Sequence, residues 1–197
     1  FCFSFAVPRD INYTQGNGLI NIYAINDSRS LAVNGSCDRF LVGGTSSLAS
    51  DSIGPSVFCY LNSPSFENGG NVNSTPYFVA KLRDKDGINV SGSSIGHNLE
   101  LIIDNDMNKT YVLNDNFQYD FGSYTSGTTY YNIPELAPGK HRLQFKAWDV
   151  LNNSSTTWLD FEVVKNLTPT LFSVAVTKNP AQTDTQFIIN HDRVGSQ

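Results

Sequence analysis

Apolar residues recur at every second position along almost the whole chain. Phe1, Phe3, Phe5 and Val7 alternate with Cys2, Ser4 and Ala6 before Pro8 closes the run. No 11-residue window carries a convincing 3.6-residue period. Successive side chains of a strand point to opposite faces, so a period of two is a strand signal. The chain is therefore predicted to be all-β, with antiparallel sheets packed as immunoglobulin-like β-sandwiches. The polar composition agrees: 21 Asn and 21 Ser dominate it, and these favour turns over helices.

Further strands are expected at 19–25, 39–42, 57–61, 77–82, 99–103, 110–113, 128–133, 141–149, 156–164, 171–177 and 186–190, with Gly, Pro, Asn and Asp between them. The clearest hairpin is 141–164. His141, Leu143, Phe145 and Ala147 share one face of its first strand; Thr157, Leu159, Phe161 and Val163 share one face of its second. Two apolar faces of this kind must be buried against another sheet. The chain opens at Phe1 inside a strand pattern and reads as a piece of a longer protein. Residues 1–45 supply three strands, too few for a sandwich, and read as the end of an upstream β domain. Residues 46–165 supply about seven, enough for one sandwich. Residues 166–197 read as the start of a third, truncated β domain.

Net charge is −5 and charged residues are 16% of the chain, with no basic run. That argues against a nucleic-acid partner, because phosphate binding needs clustered Lys and Arg. No apolar stretch approaches the ~18 residues of a membrane span. Cys2, Cys37 and Cys59 show no C-x-x-C spacing, so zinc and thioredoxin-type sites are excluded. They are read as free thiols, Cys2 and Cys59 in strands and Cys37 in a turn. Nine Asn-x-Ser/Thr sequons occur. They would suit a glycosylated surface protein, but Asn and Ser/Thr also crowd together in turns, and that reading is preferred.

Gly92-Ser93-Ser94-Ile95-Gly96, followed by His97, matches G-x-S-x-G. A nucleophile elbow needs a helix after the turn, and a strand follows here. Catalysis through Ser94 or Cys59 is therefore disfavoured. Asp84-Lys85-Asp86-Gly87-Ile88-Asn89 resembles the front of a calcium loop, with oxygen ligands at alternate positions and a glycine for the turn. Asp84, Asp86 and Asn89 are weak calcium candidates, with Asp104 and Asp106 able to complete a site from a neighbouring loop, but an Asp-Gly turn is the preferred reading. No other cofactor is indicated. Trp148 and Trp158 fall on the polar parity of their strands and are candidate surface contacts, to sugars or to a neighbouring domain.

A series of short stretches carries a family resemblance. They are Phe5–Ile11 with Gly18–Ala24, Val42–Gly44, Asp51–Pro55, Tyr60–Asn62, Asp86–Asn89 with Gly92 and Ile95–His97, Val112–Asn114, Leu136–His141, Ala147–Asp149 and Asn152–Ser154. In this order they resemble the region C-terminal to the catalytic domain in type IX secretion sortases (PorU-type), of the gingipain-like cysteine peptidase family. Ser94 stands where that family's pattern has Gly. The resemblance implies a surface transpeptidase of the outer membrane as the parent, with its catalytic His and Cys upstream. No His or Cys of this chain falls on that motif, so no catalytic residue is carried over. It also implies that residues 171–197 begin a C-terminal, secretion-signal-like domain that docks on an outer-membrane β-barrel partner. Asp51-Ser52-Ile53 fits the O-glycosylation pattern of the Bacteroidetes, making Ser52 a candidate site. The expected role is a non-catalytic scaffold or docking segment, in contact with the parent's catalytic domain and with secreted cargo proteins. The rival reading is an adhesin or carbohydrate-binding sandwich using Trp148 and Trp158.

Overall fold

The computed structural model describes residues 4, 5, 7, 16–43, 51–92, 96–165, 167, 171–177 and 185–191. The chain divides into two compact units, Ile11–Ser50 and a larger one made of Phe1–Asp10 with Asp51–Gln197.

The smaller unit holds four short strands: β1 (Gly16–Asn17), β2 (Ile20–Ile25), β3 (Ala32–Cys37) and β4 (Leu41–Val42). β1 pairs with β4, and β2 with β3, both antiparallel. Gly18 is required where it stands, because a Cβ there would run into the Phe40 ring. The β2–β3 turn is tied by Asn26, whose Oδ1 accepts from the Leu31 N–H at 3.0 Å. β3 lies where the sequence pattern had suggested no strand. Its Asn34-Gly35-Ser36 reads as a turn locally, but cross-strand pairing with Tyr23, Ile22 and Asn21 overrides that preference.

The larger unit contains β5 (Ser56–Leu61), β6 (Asn71–Val72), β7 (Tyr77–Arg83), β8 (Glu100–Ile103), β9 (Thr110–Val112), β10 (Phe117–Tyr119), β11 (Ser126–Asn132), β12 (Gly139–Trp148) and β13 (Ser154–Val163). Two three-residue 3-10 turns, Met107–Lys109 and Asn114–Asn116, are the helical pieces among the described residues. One sheet runs β10-β11-β7-β5 and the other β6-β13-β12-β8-β9. All their pairings are antiparallel except β6 with β13, which is parallel. A further hairpin, β14 (Leu171–Val176) with β15 (Phe187–His191), follows.

The two large sheets share one hydrophobic core. Leu61, Phe78, Ala80 and Leu82 come from the first; Leu101, Ile103, Leu143, Phe145, Phe161 and Val163 come from the second. The rings of Phe78 and Phe145 meet across the core at 5.2 Å. Alternation explains the choice: on β12, Leu143, Phe145 and Ala147 are buried while Lys140 and Arg142 are exposed. Each fully buried Leu or Phe contributes about 1.5–3 kcal/mol.

Candidate functional site

The strongest sequence motif, Asp86-Gly87-Ile88-Asn89, is threaded along the end of the second sheet. Ile88 forms an isolated antiparallel bridge with Asp149. The Asn89 N–H donates to the Trp148 carbonyl at 2.9 Å, and the Val150 N–H to the Gly87 carbonyl at 3.0 Å. The Tyr119 hydroxyl donates to the Ile88 carbonyl at 2.7 Å. Gly87 holds φ +125°, which a side chain would resist. The motif is therefore a structural tie between the sheets.

Its acidic residues serve the same turn. Asp84 is buried, and its Oδ1 accepts from the N–H groups of Asp86 (2.8 Å) and Gly87 (3.3 Å). Burial pushes its carboxyl above the usual range, with Asp149 and Asp51 adding to the effect. Asn89 Oδ1 accepts from the Ser91 N–H at 3.1 Å and hydroxyl at 2.8 Å. Lys85 Nζ lies 3.2 Å from Asp51 Oδ2 and 4.0 Å from Asp86 Oδ2. The Ile53 N–H and Lys85 hold Asp51 below the usual range, whereas burial and then Asp51 push Asp86 above it. Asp104 and Asp106 are not brought to this loop. Asp104 meets β12 at Arg142, about 20 Å along the strand from Asp149, and Asp106 caps the 3-10 turn through the Asn108 N–H. Among the described residues no three His, Cys, Asp or Glu side chains are grouped to hold a metal.

Asp149 is a heavily used carboxylate. Fully buried, it accepts from the N–H groups of Leu151 (2.9 Å) and Asn153 (2.7 Å) and from Asn153 Nδ2 (2.8 Å). Asn153 Nδ2 also reaches the Asp51 carbonyl at 3.2 Å, which ties the segment entering β5 to the β12–β13 turn. Gly54 lies so close to Ser154 that a Cβ there would sit 2.5 Å from its backbone. Ser52 is exposed on that entering segment.

The two tryptophans differ. Trp158 is 54% exposed, its Nε1 donating to Gln144 Oε1 at 3.3 Å. Trp148 is half-buried, with the His97 ring 4.2 Å from its centroid and Lys146 Nζ 4.4 Å away. His97 is thus engaged with Trp148, and the residues after it lead into β8, a strand. Ser94 lies outside the described residues, as does Cys2. Cys59 is buried, and burial pushes its thiol up to about 12, so it is held as the unreactive thiol. Cys37 is free and exposed at the end of β3, not in a turn.

The pattern did not reveal one cluster. His141 on β12 and Asp104 after β8 lie 37 residues apart, yet His141 Nδ1 is 2.8 Å from Asp104 Oδ2. Beside them Arg142 makes a two-pronged pair with Asp160, at 2.6 and 3.0 Å. Nothing in the local sequence links these partners; the register of β8, β12 and β13 brings them together.

No protein-family model matches the chain. No curated protein matches it either. Among solved structures, dimeric latent PorU from Porphyromonas gingivalis is similar over 98% of this chain, at 35% sequence identity and a TM-score of 0.63. The chain is PorU-like. The likeness takes in 18% of the PorU chain, so this chain spans under a fifth of that protein's length. An endo-β-1,4-mannanase from Thermotoga petrophila matches 56% of this chain and 20% of its own, at 11% identity. Its TM-score is 0.37. No described helix is long and apolar enough to cross a membrane.

Proposed function

We propose that this chain is a non-catalytic β-scaffold of a PorU-type sortase, a surface peptidase that processes and attaches the cargo of type IX secretion. The observation that carries the reading is the 35% identity to PorU over 98% of the chain. The chemistry of the described residues supports it: the Cys59 thiol is buried and protonated, the candidate acidic loop is spent on turn hydrogen bonds, and His97 packs on Trp148.

In this reading the nine strands β5–β13 are an immunoglobulin-like sandwich that holds the parent's catalytic domain at the outer-membrane surface and contacts cargo. Residues 1–45 complete an upstream β domain. Residues 166–197 begin a secretion-signal-like domain that docks on an outer-membrane β-barrel. The exposed apolar residues of β2, β3, β14 and β15 are consistent with sheets finished by polypeptide beyond this chain.

The test replaces residues 51–165 in the full-length protein with an unrelated sandwich. The purified variant is expected to cleave a soluble peptide normally while cells carrying it fail to mature and attach secreted cargo. Normal cargo maturation in those cells, or labelling of the isolated chain at Ser94 or Cys59 by a serine- or thiol-directed active-site probe, contradicts the reading.

A further inference from the structure

His141 has an unusual set of partners. Its Nδ1 lies 2.8 Å from Asp104 Oδ2, and its Nε2 lies 2.8 Å from the Ala137 carbonyl oxygen. Both partners are acceptors with no proton to give. A neutral imidazole has one N–H and can serve only one of them; the imidazolium serves both. The ring is mostly enclosed and stacks on Phe161 at 5.5 Å, so water is poorly placed to substitute.

We propose that His141 is a proton-dependent clasp, which in its charged form ties the Asp104–Lys109 turn and the segment around Ala137 to β12. The turn it holds has Asp104 and Asn105 both at positive φ, +57° and +55°, a conformation that Asp and Asn adopt more readily than other non-glycine residues. Three contacts anchor it to β12: the Asp104 N–H to the Arg142 carbonyl at 2.7 Å, the Arg142 N–H to Asp104 Oδ1 at 3.1 Å, and the His141 bond. Loss of the ring proton leaves either the Asp104 carboxylate or the Ala137 carbonyl without its donor, and the clasp opens on one side.

The Asp104 carboxylate favours the closed form, while Lys109 Nζ, 3.7 Å from the same Asp104 oxygen, is a cation that competes with the imidazolium for it. Burial alone would raise the Asp104 carboxyl, but the bonds from His141 and Arg142 outweigh it and hold it below the usual range. Arg142 is neutralised by Asp160. Lys140 and Glu162 face each other across the β12–β13 register and line, with His141, a cavity of about 380 Å³, so their charges largely cancel at the ring.

The test is nitrogen-15 NMR of the His141 ring, with amide hydrogen exchange, on the 197-residue chain between pH 5 and 8, where imidazoles ordinarily change charge. Where the turn amides are protected, both ring nitrogens should carry protons. Between pH 5 and pH 8, protection of the Asp104, Asp106 and Lys109 amides, corrected for intrinsic exchange, should fall about fivefold, the worth of one net hydrogen bond. His141→Gln, which has no titrating proton, should abolish that step. Asp104→Asn, which keeps the imidazole but removes its anionic partner, should shrink it, and covers the case in which His141→Gln does not fold. A flat profile in the unmodified chain, or an undiminished step in either folded variant, overturns the proposal.

Discussion

Two strand-rich parts of the chain end up differently. In the β5–β13 core, Phe78, Leu101 and Phe145 have no exposed surface. In the β2–β3 hairpin every residue after Ile20 is exposed, and Ile22 and Val33 keep more than half their surface in solvent. Alternation marks β2 as well as the core strands, though not β3. A period of two states which side chains share a face, but only a second sheet decides whether that face is buried. A hairpin alone is marginal in water, so the energetics of the two regions should diverge sharply under perturbation.

The largest effect is expected in the core. Phe145→Ala should cost about 3–5 kcal/mol in urea unfolding, the usual loss for a buried Phe. The counterpart Ile22→Ala should stay within about 0.5 kcal/mol, as for other surface changes. Equal losses would break the contrast. Next comes Asp149→Ala, which removes a buried carboxylate serving three N–H donors and should cost about 3 kcal/mol, read from the same curves. Gly54→Ala should cost about 1–3 kcal/mol, because its Cβ meets backbone and not a movable side chain.

The pH dependence has a definite sign. The Asp104 carboxyl is depressed in the folded chain, so its contribution is present above the unfolded-state value. That contribution is lost as pH falls through the lower, folded value. The stability gap between the unmodified chain and Asp104→Asn should therefore narrow on acidification, as thermal melts across the acid range would show. The Asp84 carboxyl is raised and acts in the opposite sense: it costs stability where it is ionised, so Asp84→Asn should lose less at neutral pH than its two hydrogen bonds suggest. The smallest effect belongs to Trp158→Ala on the outer face, again within about 0.5 kcal/mol.

Much of this was legible beforehand, for local reasons. The parity of β12 and β13, with Leu143, Phe145 and Ala147 inward and Trp158 outward, follows from alternation alone. The turn after Trp148 follows from Asp and Asn side chains that bond their own backbone. What escaped was settled by partners distant in sequence. β3 contains Asn34-Gly35 yet pairs with β2 through its whole length. β6 and β10 are two and three residues long, too short for any period to register. Asp84 belongs to a pattern shared by turn caps and calcium loops, so local sequence does not separate the two uses. The clasp between Asp104 and His141 depends on the register of β8 against β12, and no local pattern encodes it.

Native-state hydrogen exchange on the intact chain tests the contrast between the regions most directly. The account predicts that amides of Phe78–Leu82, Leu101–Ile103 and Leu143–Ala147 exchange only through global unfolding, while those of Ile20–Ile25 and Ala32–Cys37 exchange orders of magnitude faster by local opening. Equal protection in the two regions would contradict it, because the β2–β3 hairpin would then be as firmly held as the core.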